Sequence, residues 1–579
     1  MEYQVGWGKR EIHITGCGYA MHGYGQPGHR ATGTRNPLYA RSLAIADLDS
    51  DDAPLLYCCL DLGYVTHAMR QGVVTGLRES LGEAFDEHRL VLTCTHTHSG
   101  PGGCAHEGLY NLVTPGFVPA HLEAVVEAAL ASLRAALVTR KATDIQYRSS
   151  QVPDPVPVAW NRSLKAYNRN PDVAPRDATQ THLALDRTMH LISFHRQGRV
   201  RALLSLFGVH ATCLGNQLAH YDGDNKGYAA LHAEMQLQAD GVSEPVAIFA
   251  QGAAGDVSPH YHGPGDRKRR RKLRGEAEYA YARKNGEAQS EHALAMLEAE
   301  SGQAVSGPLD GVLTYVDMSD QAVSPEFAGG SRDARTSAPC HGVGFFLGTP
   351  VDGPGMPAPL GFAARRLARA QRRRSLKPGS PRQAQAQALY ASQGAKDILL
   401  NAGEKRVLGY ALDRIPLPDL ADPLVAELKR QARLGALTES PMVPSVLPLQ
   451  IVRLGNLRLV CAPGEFTTVA GRRLVSAVAT ALPLEGSERC LINTYCNDYM
   501  GYVTTFEEYQ EQAYEGGHTV YGQWTLGAFQ TAFTRLAATF NTPPSEREPA
   551  EKNAPPPVLN SELALRSDIP VRGREMSSG

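Results

Sequence analysis

Two histidines follow a short apolar run and are separated by one residue. Arg89–Thr95 predicts a buried strand, and His96-Thr97-His98 leads from it into a turn rich in glycine and proline. Because side chains at i and i+2 of a strand share a face, we expect His96 and His98 to project together from its carboxyl end. Two imidazoles on one face are typical of a zinc site, and a pair of core or solvent-exposed histidines explains the pattern equally well.

Two further apolar runs end near residues that can bind metals. Leu203–Val209 precedes His210, and Leu457–Ala462 precedes Glu465. Strands that deliver two histidines and a glutamate fit a zinc site with nitrogen and oxygen ligands. Glu465 fits a second interpretation as well, as an acidic residue at the first turn of a helix that begins near Thr467.

Ser258 lies in a glycine-rich turn after the apolar run Ala247–Ala250. The turn lacks the Gly-x-Ser-x-Gly elbow of an α/β-hydrolase, so Ser258 could be a nucleophile, a substrate-binding hydroxyl or only a turn residue. His260 and His262 share its face if the segment is extended, which would favour a nucleophilic serine. Residues 222–228 resemble part of a calcium loop, but their spacing differs from the EF-hand pattern and predicts a structural loop.

Strand-like and helix-like segments alternate along the chain to about residue 540. Residues 67–85 and 119–138 repeat apolar side chains at helical spacing, whereas Leu43–Leu48 and Leu55–Leu62 are strand-like. This alternation predicts an α/β fold. We assign residues 1–542 to one domain and the proline-rich residues 543–579 to a flexible tail or a strap on the surface.

Composition excludes several classes of partner. The 579 residues include 58 Lys and Arg against 59 Asp and Glu, a net charge of −1, so nucleic acid is not expected to bind. No run reaches the roughly 18 apolar residues of a membrane span, and no signal peptide is recognisable, which predicts a cytoplasmic protein without an integral membrane segment. The ten scattered cysteines predict reduced thiols. The sequence carries no signal for an oligomeric state.

Two basic runs stand apart from these patterns. One covers residues 267–272, and the other includes Arg365-Arg366 and Arg372-Arg373-Arg374. Solvated helix faces explain such runs, and contact with an anionic surface or substrate is the alternative.

A series of short motifs follows one another in chain order between about residues 5 and 540. They are Met21-His22-Gly23-Tyr24-Gly25, Leu38-Tyr39-Ala40-Arg41, Thr95-His96-Thr97-His98-Ser99-Gly100-Pro101-Gly102-Gly103, Asn161-Arg162-Ser163, Asp224-Asn225-Lys226-Gly227-Tyr228-Ala229, Gly255-Asp256-Val257-Ser258-Pro259, Asp352-Gly353-Pro354-Gly355, Pro463-Gly464-Glu465-Phe466-Thr467-Thr468 and Tyr502-Val503-Thr504-Thr505-Phe506-Glu507-Glu508-Tyr509. One such motif is a weak signal, but the ordered series is specific. It resembles the neutral ceramidase family, zinc amidases that hydrolyse N-acylsphingosines.

The resemblance implies roles for individual residues. The zinc ligands of the family fall on His96, His210, Glu465 and Tyr502. His98 lies beside the metal, where it would carry a proton, and Arg162 lies in the substrate site. Tyr514 matches a tyrosine suited to stabilising an oxyanion. Ser258 matches a serine once described as the nucleophile, although metal-activated water explains the chemistry without one.

These observations lead to one function and three alternatives. The resemblance implies a layered mixed-sheet zinc amidase domain, here expected to lack the C-terminal β-sandwich and the secretion signal usual in the family. We expect a Zn²⁺-dependent amidohydrolase of lipid, specifically sphingolipid, metabolism that cleaves a small-molecule N-acyl amide through metal-activated water. The first alternative is amide bond formation at the same site. The others are a TIM-barrel amidohydrolase, which also uses His-x-His, and a non-catalytic lipid-binding protein.

Overall fold

The computed structural model of the protein describes residues 3–15, 18–48, 50, 52–114, 116–260, 272–299, 302–349, 351–353, 355–482 and 484–567. His262, and the basic run 267–272 except Lys272, lie outside these ranges.

A large mixed sheet is built mainly from the first half of the chain. Two of its strand pairs are parallel, Leu55–Leu60 with Leu90–Cys94 and Arg199–Leu206 with Val246–Ala250, and the other pairs are antiparallel. Gln303–Ala304 adds to the strand Lys141–Gln151. Among the described residues the spatial order is Val246–Ala250, Arg199–Leu206, Thr188–Arg196, Lys141–Gln151, Tyr3–Glu11, Tyr39–Asp47, Leu55–Leu60 and Leu90–Cys94.

This main sheet curves until the segments beyond its opposite ends meet. The side-chain amide of Gln251 donates to the carbonyl of Thr95 at 2.9 Å, and Thr97 forms an isolated parallel bridge with Ala211. The prevailing antiparallel pairing differs from the eight parallel strands of a TIM barrel, so that alternative is wrong.

A second sheet closes the concave face of the main sheet. Its order is Leu309–Asp317, Val446–Leu454, Leu457–Cys461 and Arg489–Asn493, and only the last two strands pair in parallel. A smaller sheet contains, in spatial order, Cys340–Gly342, Ile398–Asn401, Arg406–Val407 and Tyr410–Ala411. Two-stranded sheets pair Met21–His22 with Gly100–Pro101, Gly33–Thr34 with His220–Tyr221, Trp160–Asn161 with Val257–Ser258, and Glu465–Phe466 with Tyr502–Val503.

Successive side chains of each strand point to opposite faces of the sheet, so each face packs against a different layer of the domain. In Leu55–Leu60, Leu56 and Cys58 face a helical layer, whereas Leu55 and Tyr57 face the second sheet. Helices Thr468–Ala481 and Thr525–Ala538 cover the other face of the second sheet. The described residues therefore form helices, main sheet, second sheet and helices in succession, and the prediction of an α/β fold is confirmed.

The α-helices of the described residues are His67–Leu81, Pro119–Val138, Leu164–Tyr167, Asp224–Ala239, Glu276–Ala299, Val343–Phe346, Ala358–Ser375, Gln383–Gln393, Pro423–Arg433, Thr468–Ala481, Phe506–Tyr509, Tyr514–His518, Thr525–Ala538 and Asn560–Ala564. None of those in the described part of the chain combines the length and apolarity that crossing a bilayer requires. Nine of the ten cysteines lie in the described residues, and none of these nine is in a disulfide there.

Two predicted boundaries need correction. The helix expected over 67–85 ends at Leu81, because Gly82 follows it with φ of 56°. Residues 222–228 are not simply a loop, because a helix begins at Asp224, whose carboxylate accepts from the backbone N–H of Leu214 at 2.9 Å.

The segment after residue 542 lies along the domain as far as Ser567. It contains short helical turns, a half-buried pairing of Arg547 with Asp310 at 2.7 Å and the fully buried side chain of Arg566. The carbonyl of Arg566 accepts from the backbone N–H of Phe117 at 2.8 Å. The described part of this segment is a strap, residues 568–579 lie outside the described ranges, and the boundary at 542 stays a prediction.

Candidate metal centre and active site

Four candidate ligands extend from the two sheets toward one point. His96 follows the strand Leu90–Cys94 and His210 follows Arg199–Leu206, both of the main sheet. Glu465 and Tyr502 follow the two parallel strands of the second sheet and are themselves Cα partners in a short parallel pair. The candidate site therefore lies where the two sheets meet.

The donor atoms of these side chains are within coordination distance of a common centre. Nε2 of His210 lies 3.0 Å from Oε2 of Glu465 and 3.1 Å from the hydroxyl of Tyr502. Nε2 of His96 lies 3.4 Å from the same carboxylate oxygen. Tetrahedral zinc with bonds of 2.0–2.1 Å requires ligand atoms about 3.3 Å apart, so the spacing fits such an ion.

Hydrogen bonds on the far side of each imidazole fix its tautomer. Nδ1 of His96 lies 2.6 Å from the carbonyl of Gly63, and Nδ1 of His210 lies 2.7 Å from that of Ala254. Donation from Nδ1 leaves the lone pair of Nε2 directed at the centre, as in most protein zinc sites. Gly63 has no room for a side chain, since an added Cβ would lie 2.7 Å from the ring of His22.

Burial and charge favour a cation at this centre. Each of the four side chains is no more than 2 % exposed. Burial alone raises the pKa of Glu465, but His96 and His210 outweigh it and hold that pKa well below its usual value. Burial, followed by Glu465, raises the pKa of Tyr502, whereas Arg162 lowers it. A buried carboxylate among imidazoles and phenols is a donor set suited to a divalent metal.

His98 reaches the same centre from its less buried side. Its Nε2 lies 3.1 Å from Nε2 of His96, and His96, His98 and His210 together form a group that could hold a metal ion. The loop bearing Gly23 and Tyr24 packs on the His98 ring, and an added Cβ at Gly23 would lie 2.4 Å from it. The placement of His98 beside the metal, rather than on it, stays a prediction.

The reason first given for pairing the two histidines is wrong. The strand ends at Cys94, and His96 has a left-handed backbone with φ of 64°, so His96 and His98 do not share a strand face. They converge because the loop bends, with the backbone N–H of His98 donating to the carbonyl of Ala211 at 3.3 Å.

Arg162 connects the hydroxyl of Tyr502 to two carboxylates. Its Nη2 donates to the Tyr502 hydroxyl at 2.9 Å, its Nη1 to Asp352 at 2.9 Å and its Nε to Glu515 at 2.9 Å. Burial lowers the pKa of this guanidinium, but Tyr502, Glu515 and Asp352 outweigh it and raise the pKa well above its usual value. Arg162 therefore donates to the candidate ligand Tyr502, a contact that its expected position in the substrate site did not suggest.

Ser258 is hydrogen-bonded to a carboxylate. Its Oγ donates to Oδ1 of Asp352 at 2.6 Å and accepts from the backbone N–H of His260 at 3.3 Å. Nε2 of His260 is 2.6 Å from the carbonyl of Thr212, so that ring nitrogen is directed away from the serine. The strand pairing of Val257–Ser258 with Trp160–Asn161 places Ser258 beside Arg162.

Tyr514 lies at the open side of the site. Its ring stands edge-on to that of Tyr502 at 5.3 Å and lies 5.6 Å from the Arg162 guanidinium carbon. Tyr514 and His98 are half-buried, whereas His96, Arg162, His210, Ser258, Glu465 and Tyr502 are buried. This difference marks the side from which a substrate can approach.

Several residues that contact the candidate site side chains were missed in advance. Among them are Asp352, Glu515, Tyr495 and Tyr499. Asp352 falls in one of the motifs, which offered a signal for it. The two tyrosines and Glu515 have no spacing that marks them in advance.

Comparisons with known proteins agree along nearly the whole chain. The family model described as neutral/alkaline non-lysosomal ceramidase, N-terminal, matches residues 3–416 and 430–531. The neutral ceramidase of Pseudomonas aeruginosa is 31% identical over 99% of this chain and 78% of its own. The neutral ceramidase of Mycobacterium tuberculosis is 31% identical over 92% and 76%.

Solved structures give the same result. A ceramidase complexed with C2 has a TM-score of 0.77 and 30% identity, covering 97% of this chain and 78% of that one. A crystal structure of neutral ceramidase from Pseudomonas aeruginosa has a TM-score of 0.73 and 29% identity, covering 93% and 74%. The expected resemblance is confirmed: the chain belongs to the neutral/alkaline non-lysosomal ceramidase family, which indicates a hydrolase acting on amide bonds.

Proposed function

We propose that this chain is a zinc-dependent amidase that hydrolyses the amide bond of an N-acyl, ceramide-like lipid. The observation that carries the proposal is the meeting of His96, His210, Glu465 and Tyr502 donor atoms in one buried centre. The neutral ceramidase names of the relatives supply the substrate class. When bound there, zinc would supply a Lewis acid and lower the pKa of water toward neutrality.

His98 is the group best placed to move a proton. Burial, together with His96 and His210, lowers its pKa well below the usual value, so the imidazole is neutral. In our proposal it takes the proton of the attacking water and delivers it to the departing amine nitrogen. Its half-buried position gives it access to both.

Tyr514 and Arg162 are suited to the negative charge that develops on the carbonyl oxygen. Burial raises the pKa of Tyr514, so its hydroxyl keeps its hydrogen and can donate it. Arg162 already donates to Tyr502 and holds positive charge beside the centre. Donors fixed before reaction stabilise an oxyanion without reorganisation.

In this mechanism Ser258 is a positioning hydroxyl and not the nucleophile. Its donation to Asp352 helps to hold the carboxylate that binds Arg162. An attacking serine requires a base that takes its proton, and Asp352, whose pKa is lowered by Arg162 against the effect of burial, is a weak one.

The remaining alternatives receive less support. The comparisons give no support to amide bond formation. A lipid-binding protein without catalysis has no use for this buried donor set, which argues against that alternative.

Metal content and hydrolysis, measured on the same preparation, test the proposal. We expect purified protein to contain about one zinc per chain, and to release sphingosine from N-acetylsphingosine, as followed by mass spectrometry. Chelation should abolish both, and zinc should restore both. Glu465→Gln should lose zinc and activity together, whereas the exposed control Glu326→Gln should keep them. Full activity in protein shown by elemental analysis to be metal-free would overturn zinc dependence.

A further inference from the structure

The helix Ala358–Ser375, here called the arginine-rich helix, distributes its residues in an unusual way. Its buried positions are the small residues Gly361, Ala364 and Ala368. Its large apolar side chains point outward: Leu360 is 59 %, Phe362 61 % and Leu367 56 % exposed. A surface helix normally buries its large apolar residues, so this face is suited to an apolar environment outside the domain.

Arginines share the exposed face with these side chains. Arg366, Arg373 and Arg374 are exposed, and within the described residues no ion pair involves them. Arg366 lies over the ring of Phe362 at 5.1 Å. By contrast, Arg365 and Arg369 pair with Asp397 beneath the helix.

This combination selects an anionic lipid surface as the partner. Leucine and phenylalanine side chains insert at the level of the acyl chains, while arginines remain at the headgroups and pair with their negative charges. An apolar protein surface would leave the three arginines without counter-charges, and a purely electrostatic partner would leave the apolar side chains in water. A bilayer that contains acidic lipids satisfies both.

The helix is attached directly to the walls of the candidate active site. The segment before it contains Asp352, which binds Arg162 and Ser258, and at most about 20 Å of chain separates Asp352 from the helix start. Gly361 packs against Leu347, with an added Cβ only 2.3 Å from it.

Leu347 connects the arginine-rich helix to the open side of the site. Leu347 caps the short helix Val343–Phe346, whose Phe345 ring lies 5.4 Å from that of Tyr514. Gly353 approaches Tyr24, which contacts His98. The arginine-rich helix is therefore linked, through Leu347 and Phe345, to the half-buried Tyr514.

We propose that the exposed face of the arginine-rich helix docks on an anionic lipid bilayer and holds the active site at the membrane surface, where an N-acyl lipid substrate is dissolved. The purpose of docking rests on the proposed function, but the docking itself does not require catalysis.

Vesicle sedimentation measures the docking. Full-length protein should bind vesicles of phosphatidylcholine with phosphatidylserine, bind weakly to phosphatidylcholine alone, and lose affinity as salt is raised. Two variants test the two parts of the exposed face. One replaces the apolar side chains (Phe362→Glu with Leu367→Glu), and the other reverses the basic ones (Arg366→Glu with Arg373→Glu and Arg374→Glu). Each should lower the partition coefficient by at least about tenfold, and one basic residue alone is worth about fivefold. The control for the arginine variant carries Arg10→Glu, Arg332→Glu and Arg535→Glu at three exposed positions elsewhere, and it should bind as the wild type does.

Hydrolysis assays separate this proposal from the proposed function. Both helix variants should keep wild-type turnover of a dispersed short-chain amide and lose turnover of the same headgroup with long chains in vesicles. Wild-type protein that ignores acidic vesicles, or helix variants that bind them as wild type, would overturn the docking proposal whatever the activity. An inactive wild type that still binds through this helix would contradict the proposed function alone.

Discussion

Tyr499 donates its hydroxyl hydrogen to Oε1 of Glu465 across 2.5 Å. Tyr495 donates to the other carboxylate oxygen at 3.2 Å and stacks on the ring of His96 at 4.3 Å. The two phenols thus fix the orientation of a carboxylate that faces both imidazoles. Such outer contacts determine how well a ligand set is preorganised for its metal.

Tyr499→Phe should weaken zinc binding without unfolding the protein. The ring remains, but Glu465 loses a donor that orients it, and such losses typically cost 10–100-fold in metal affinity, a range we take as approximate. Competition with a chromogenic chelator measures the affinity. Tyr110→Phe is the matched control, because its hydroxyl donates to the carbonyl of Tyr499 and not to a ligand. Unchanged affinity in Tyr499→Phe would show that the hydrogen bond does not tune the site.

His98→Ala should retain zinc and slow turnover by roughly 10²–10⁴-fold, the usual worth of general acid–base assistance. Elemental analysis and kcat, measured on one preparation, test both parts. The exposed His13→Ala provides the control. Loss of zinc from His98→Ala would instead place His98 among the ligands, in keeping with the group that it forms with His96 and His210.

Ser258→Ala distinguishes attack by water from attack by serine. Removing a hydroxyl that donates to Asp352 should cost about 1.5–3 kcal/mol, or roughly 10–150-fold in kcat/KM. Intact-mass analysis during turnover should find no acylated protein. An acyl adduct on Ser258 would reverse the assignment.

Asp222→Asn should make stability less sensitive to pH. Burial, and then Asp224, raises the pKa of Asp222 from 3.8 to about 7, so the native carboxyl keeps its proton between about pH 4 and 7 while the unfolded one loses it. The native state binds more protons in that window, so this group lowers stability as pH rises, by about 1.4 kcal/mol for each pH unit. Wild-type unfolding free energy should therefore fall more steeply than that of Asp222→Asn.

Urea unfolding at pH 5 and pH 8 measures the difference. The exposed Asp240→Asn should follow the wild type. Equal pH dependence in wild type and Asp222→Asn would mean that the buried carboxyl is ionised across the window.

Local pattern predicts elements that are apolar on a regular period. The helix expected over 119–138 occupies Pro119–Val138, and the run Leu457–Ala462 contains the strand Leu457–Cys461. In both cases periodic burial determines the structure, so the signal is present in the residues themselves. Sheet curvature and the face-to-face packing of two sheets depend on contacts between distant segments, which no local period contains.

Part of the candidate site is likewise predictable from local sequence, and the rest depends on contacts between distant segments. His96, His210 and Glu465 each follow an apolar run that predicts a strand, so their positions can be read from the chain. Tyr502 required the family resemblance, because a tyrosine beside a short strand has no distinguishing spacing. Tyr495 and Tyr499 reach Glu465 through a loop whose path is set by tertiary packing, and local sequence does not encode that path.

The four candidate ligands extend from two different sheets, two from each. An ion held by all of them would cross-link the halves of the domain without a covalent bond. A ligand that binds only the folded chain raises the unfolding free energy by about 4.1 kcal/mol at a thousandfold excess over its Kd. The melting temperature of the whole domain would then follow the free zinc concentration, and a thermal scan with and without chelator would report metal occupancy even in a variant that turns over no substrate.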